Sequence, residues 1–176
     1  EIDILTQKKP RPILRDIAVE IHKGKNFLAV VTSSLAKKIS YETGVALALT
    51  IQTEDTKIAV IDFKKRKNPK MTPDQTSIGS FIVSETTGQV SVLRPRSESD
   101  PKKMISQKDF LKNIQALNSS FNLIFLCADN DDALSLLRAL EGQKIFHLTL
   151  ARTKKTNSNT LQCMRSLLPI QGLLHD

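Results

Sequence analysis

Four short, uninterrupted apolar runs constrain this chain most. They are Phe27-Leu28-Ala29-Val30-Val31, the stretch Lys57 to Asp62 with its core Ile58-Ala59-Val60-Ile61, Leu123 to Cys127, and Ile145 to Leu150. A half-exposed strand alternates apolar and polar residues, whereas a run with no polar break is buried on both faces. Between the runs lie stretches with helical spacing. Ile13, Ile17 and Ile21 recur every fourth position over 13–22, and Lys23-Gly24-Lys25-Asn26 ends that helix. Residues 42–53 and 105–117 read as helices, the latter with Ile105, Phe110, Ile114 and Leu117 on one face. Residues 131–141 form another, with Asp131 and Asp132 near its positive end. A last helix spans 157–168 and stops before Pro169. Buried strands alternating with helices predict an α/β fold in three layers, a mostly parallel central sheet with helices on both faces.

The remaining segments are less regular. Residues 1–12, with Pro10 and Pro12, read as a linker or arm, and 13–176 as a single domain. Residues 64–89 are basic, then rich in Ser, Thr and Gly, and read as loop with at most a short helix. Val90 to Leu93 forms a short strand, Pro95 to Pro101 a loop, and Gly172-Leu173-Leu174 the start of a final strand. The chain has 176 residues, 40% of them hydrophobic, which suffices for one core. Its net charge of +8 points toward phosphates, nucleic acid or an anionic membrane surface. Two cysteines, Cys127 and Cys163, with no secretory signal fit a reducing compartment. No apolar run reaches the roughly 18 residues of a membrane span. The chain begins at Glu1 without an initiator Met, so it reads as a piece of something longer, with any anchor outside it.

In a parallel sheet the ligand crevice opens at the carboxyl ends of the strands. The residues following Val31, Ile61 and Leu126 are therefore the informative ones. The first strand continues as Val31-Thr32-Ser33-Ser34, then Leu35-Ala36-Lys37-Lys38-Ile39-Ser40-Tyr41-Glu42, then the helix Val45-Ala46-Leu47-Ala48-Leu49. The second ends Ile61-Asp62-Phe63-Lys64-Lys65-Arg66. The third reads Phe121-Asn122-Leu123-Ile124-Phe125-Leu126-Cys127-Ala128-Asp129. Further on come Asp132-Ala133-Leu134, Phe146-His147-Leu148-Thr149-Leu150-Ala151-Arg152-Thr153-Lys154 and Pro169-Ile170-Gln171-Gly172-Leu173-Leu174-His175. In order and content these pieces, which cover roughly 13–175, resemble the cytoplasmic domain of the bacterial tyrosine kinases (BY-kinases). Those domains are fused to exopolysaccharide chain-length regulators such as the succinoglycan transport proteins.

The resemblance implies a P-loop NTPase-like fold, with ATP and magnesium as the cofactors of active relatives. It also locates where this chain departs from them. Relatives carry a glycine-rich phosphate loop, whose backbone N–H groups cradle the phosphates and whose Lys reaches the outer oxygens. Here the glycine positions fall on Lys37 and Ile39, the Lys position on Ser40 and the magnesium hydroxyl on Tyr41. The degenerate loop thus comprises Ser34, Lys37, Lys38, Ile39, Ser40 and Tyr41. A β-branched Ile39 is ill suited to positive φ. Of the second motif Asp62 and Arg66 are kept, while its second acid has become Lys64; the Walker B acid has become Cys127. Asp129 stands two residues further on and is expected to sit elsewhere. No catalytic residue and no bound ATP or magnesium are therefore expected. The relatives' Tyr-rich tail is missing, since Tyr41 is the one tyrosine, and of their ring-forming E-x-x-R-x-x-R helix Arg15 alone has a counterpart.

These readings lead to a non-catalytic, pseudokinase-like domain of an exopolysaccharide biosynthesis or polysaccharide transport protein. It would lie at the cytoplasmic face of the bacterial inner membrane, anchored by segments outside this chain, and act on other subunits of a synthesis and export complex. Self-association and contact with an anionic membrane surface are open alongside. Two other classes compete. One is an active ATPase or tyrosine kinase in which Lys37 or Lys38 replaces the missing Lys and Asp62 serves the metal. The other is a ParA-like basic domain associated with DNA.

Other features carry less. His22, His147 and His175 have no metal-ligand spacing to the cysteines, so no metal site is expected. His147 lies in an apolar strand and reads as a core residue, and Cys127 as a buried thiol rather than a nucleophile. Lys64, Lys65, Arg66, Lys67 and Lys70 form the densest basic patch, either a solvated loop or a site for anions. Without interleaved aromatics or a groove-entering motif, specific nucleic-acid recognition is not expected.

Overall fold

The computed structural model describes residues 15, 19, 23, 26–33, 39–63, 76–96, 101–143, 145–151, 158–167 and 172–175. Their elements are, in order, β1 (Phe27–Ser33), α1 (Ser40–Ile51), β2 (Ile58–Asp62), β3 (Ser77–Ile78), β4 (Phe81–Thr87), β5 (Val90–Pro95), α2 (Pro101–Ile105), α3 (Phe110–Ala116), a 3₁₀ turn (Leu117–Ser119), β6 (Leu123–Asp129), α4 (Asn130–Ala139), β7 (Phe146–Ala151), α5 (Ser158–Leu167) and β8 (Gly172–His175). One eight-stranded sheet runs β3-β4-β5-β2-β6-β1-β7-β8. Every pair from β5 to β8 is parallel, and β3, β4 and β5 pair antiparallel at one edge. This is the mostly parallel α/β arrangement expected from the sequence.

The apolar runs divide strictly by alternation. Ala29 and Val31 of β1, Ile58 and Val60 of β2, and Phe125 and Cys127 of β6 face one side, where Leu47 and Ala48 of α1 cover them. Val30, Ala59, Ile61, Ile124 and Leu126 face the other, under α2, α3, α4 and α5. Both sets are essentially inaccessible to solvent. Each Val, Leu, Ile or Phe among them contributes about 1.5–3 kcal/mol through burial, and central strands without polar residues are therefore stable only between two helical layers. The expected face of Ile105, Phe110, Ile114 and Leu117 is present and buried. It is divided between two short helices because Ser106, Gln107, Lys108 and Asp109 turn the chain between them.

One region differs from expectation. Part of the stretch read as loop, 76–89, contains β3 and β4, and β4 returns as a hairpin with β5. Its turn is Gly88-Gln89, with Gly88 at φ 60, where a side chain is strained. Gln52 at the end of α1 braces this turn by accepting a hydrogen bond from the Gln89 N–H, at 3.1 Å. Residues 13–22 as a helix, and 64–75 of the expected loop, lie outside or largely outside the described residues.

Candidate functional site

The carboxyl ends of β1, β2 and β6 lie side by side, with Val31 and Asp62 both in register with Cys127, and Ser33 with Asp129. Side chains two apart on a strand share a face, so Asp62, Cys127 and Asp129 all look toward α1. The strand–helix junctions that place them are short. Strand β6 runs directly into α4 through Asn130 at φ 50, a left-handed conformation that asparagine tolerates better than most residues.

Asp129, two residues beyond Cys127 as the sequence reading has it, makes a contact that reading did not foresee. Strand β6 extends two residues past Cys127, so Asp129 lies on the face of α1. Its carboxylate accepts two hydrogen bonds from the first residue of α1, one from the Ser40 backbone N–H (3.1 Å to Oδ1) and one from the Ser40 hydroxyl (2.8 Å to Oδ2). Immediately before α4, an aspartate would ordinarily cap its own helix, yet Asp129 makes no such bond. Its carboxylate serves the start of α1 instead, where unpaired N–H groups and the helix dipole favour negative charge. Burial pushes the Asp129 carboxyl above the usual carboxylate range; the Ser40 hydrogen bonds oppose this, and the charges of Glu42 and Asp62 add to it. The available signal was the period of two that places residues 127 and 129 on one face.

The residues of the degenerate loop separate into two groups. Ser34, Lys37 and Lys38 lie outside the described residues, as do Lys64, Lys65, Arg66, Lys67 and Lys70 of the basic patch. Ile39, just before α1, has φ −114, an ordinary conformation with no need for glycine. Ser40 is buried, 1% exposed, beneath Asp129. Tyr41 is half-buried and packs with Ile39 and Val45 on the apolar cluster beneath α1.

Cys127 occupies the centre of the site and is 1% exposed. Burial, then the charges of Asp62, Asp129 and Glu42, push its thiol well above its ordinary value, so it is protonated and unsuited to nucleophilic attack. Its Sγ reaches α1 at Gly44, where a Cβ would overlap the sulfur. Asp62, 3% exposed, closes β2 beside it, and the Phe63 N–H donates to the Cys127 carbonyl at 3.2 Å. Among the described residues, no group of three or more His, Cys, Asp or Glu is arranged to hold a metal ion. The two cysteines are unbridged.

The opposite face of the same strand ends holds a buried polar node. Thr32 Oγ1 lies 2.8 Å from His147 Nε2 and donates to Thr149 Oγ1 at 3.0 Å. With His147 and Thr149 fully buried, this is a satisfied core histidine, as the sequence suggests.

Comparisons with known proteins bear on the fold. No protein-family model and no curated protein matches the sequence. Solved structures do. The BceF tyrosine kinase domain superposes with a TM-score of 0.67 at 11% identity, covering 93% of this chain and 74% of that one. The kinase domain of the Escherichia coli tyrosine kinase ETK gives 0.66 at 14%, covering 93% and 73%. The VpsO kinase domain gives 0.64 at 14%, covering 92% and 90%. At such identities the likeness speaks for architecture alone, and on that ground the chain has the α/β fold of tyrosine kinase domains.

Proposed function

We propose that this chain is a kinase-like domain of an exopolysaccharide biosynthesis or export protein that does not use ATP. It acts by docking to other subunits of the assembly at the cytoplasmic face of the bacterial inner membrane. The fold shared with tyrosine kinase domains and the order of the sequence motifs support the family reading. Among the described residues no helix is long and apolar enough to cross a membrane, so on this reading the anchor belongs to other segments.

The observation that carries the non-catalytic reading is the Asp129 carboxylate on Ser40. A helix N-terminus at the mouth of a parallel sheet is a ready anion site. Here the protein's own carboxylate takes the first N–H, and an incoming phosphate would meet a like charge in a partly buried setting. The metal side fits no better. Magnesium takes hard oxygen ligands; of the two acids beside the central position Asp129 is already held by Ser40, and the central position itself is a protonated, buried thiol. The described residues therefore do not fit a magnesium nucleotide, and no step is assigned to one.

Isothermal titration with Mg·ATP tests this. The expectation is no saturable heat up to ~1 mM, a concentration at which even a binding free energy of about 4 kcal/mol registers. Saturable binding in that range, lost on adding EDTA, would overturn the proposal.

A further inference from the structure

A groove of about 640 Å³ lies on the far side of the sheet from α1, between α2, α3 and α4, and none of Ser40, Asp62, Cys127 and Asp129 lines it. Its rim carries Lys102, Lys103, Lys108 and Arg138, and no acidic residue lines it. Those four cations are exposed. Lys102 lies 3.9 Å from Asp131, so the rim's net positive charge rests mainly on Lys103, Lys108 and Arg138. Between the cations, Leu111 and Ala139 present a partly exposed apolar strip backed by buried Ile105 and Phe110, with Ser106, Gln107 and Ser135 beside it.

We propose that this groove docks an acidic, amphipathic segment of a partner protein. A free inorganic anion would need donors converging on one point, whereas these cations sit at exposed side-chain ends around an apolar strip. A flat anionic membrane does not follow a concave surface, and a polynucleotide backbone gains little from an apolar strip. A peptide with acids along its flanks and apolar side chains on one face satisfies both rim and strip, as in helix-in-groove recognition. The inference deepens the protein–protein role proposed above and rests on it for its setting; the groove's chemistry stands apart from the end of α1.

The test uses fluorescence anisotropy with a short fluorescein-labelled peptide bearing leucines on one helical face and glutamates beside them. Its counterpart with glutamine for glutamate and vesicles containing phosphatidylglycerol are run in parallel. The expected result is saturable, salt-sensitive binding of the acidic peptide, weakened by roughly tenfold or more in Lys108→Glu/Arg138→Glu. Lys57→Glu/Arg96→Glu, with the same change in charge at exposed sites outside the groove, should retain it. Undetectable peptide binding, equal binding by both double variants, or groove-dependent capture of vesicles without peptide binding each overturns the proposal. Circular dichroism confirms that each variant is folded. The Mg·ATP titration on the same sample separates the readings, because nucleotide binding there would defeat the non-catalytic proposal and leave the groove result standing.

Discussion

Gly44→Ala probes the contact that fills the middle of the site. The glycine lies within α1, where alanine is favoured by about 1 kcal/mol of helix propensity. A solvent-facing position would therefore gain stability. At Gly44 the new methyl would overlap Cys127 Sγ and lie 3.4 Å from Val60 Cγ1. Cys127 belongs to β6, held between β1 and β2 in the centre of the sheet, so the sulfur has little room to recede. Overpacking of this kind costs about 1–3 kcal/mol, and the rigid setting places it toward the upper end. Against the propensity gain, the net loss is ~1–2 kcal/mol, a fall in Tm of roughly 2–8 °C for a chain of this size. Cys127→Ala alone removes a buried sulfur at a cost of ~1 kcal/mol. In the double variant the methyl added at residue 44 enters the space that the sulfur leaves, and the propensity gain is unopposed. Its stability should return close to that of the parent, giving a coupling energy of about 2–3 kcal/mol. Urea denaturation of the four proteins measures the cycle. A neutral or stabilised Gly44→Ala, or additivity within ~0.5 kcal/mol, would refute the placement of Cys127 against α1.

Three further outcomes follow from the same geometry. Because the folded state raises the pKa of Asp129, its contribution to stability is fully present below the unfolded value and is lost as pH rises through the folded one. Relative to Asp129→Asn, the parent should therefore lose stability with rising pH from about 4 upward, and a difference that grows in the opposite direction in paired urea titrations would contradict this. Thr32→Val keeps the shape of Thr32 but removes its hydroxyl from His147 and Thr149, and should cost about 1–3 kcal/mol by thermal denaturation. Gly88→Ala forces a side chain into positive φ, with its Cβ 2.8 Å from Gln52 Oε1. It should cost at least ~1 kcal/mol and speed hydrogen exchange in β4 before the parallel strands are affected.

The parallel part of the sheet was legible because its strands are buried twice over, and two-sided burial leaves a continuous apolar run. The hairpin at the edge leaves a fainter mark. Strand β4 passes from buried Phe81 and Ile82 to exposed Glu85, Thr86 and Thr87, so composition alone makes it resemble loop. The informative residues were Thr87-Gly88-Gln89-Val90, a tight turn between β-branched flanks. In the site, Ile39, Ser40, Tyr41 and Cys127 were identified as departures from the resembled motif. That Asp129 would bond Ser40 was not, because the two lie 89 residues apart and meet only once β6 is known to extend past Cys127. Residue lists aligned to a motif ask whether an acid stands at a given position. They do not ask whether the next residue on the same face reaches the same helix.

Architecture and chemistry make different demands on a sheet of this kind. The strands need apolar side chains on both faces along their length, and Val30, Val60, Ile61, Phe125 and Leu126 meet that need irrespective of any ligand. The strand ends need charge only if something charged is to be bound there, since a buried carboxylate without a partner is costly. Residue 127 is a neutral thiol that lies flush against Gly44, which makes the position part of the core. Asp129 retains a carboxylate and supplies its partner from within, turning the positive end of α1 inward. Burial is the leading cause of the upward shift at both groups, and the charges of Asp62 and Glu42 add to each. An acid placed at residue 127 would therefore not open the start of α1 to an anion. It would add a third carboxylate beside Asp62 and Asp129, and the start of α1 would still be engaged until Ser40 and Asp129 were separated.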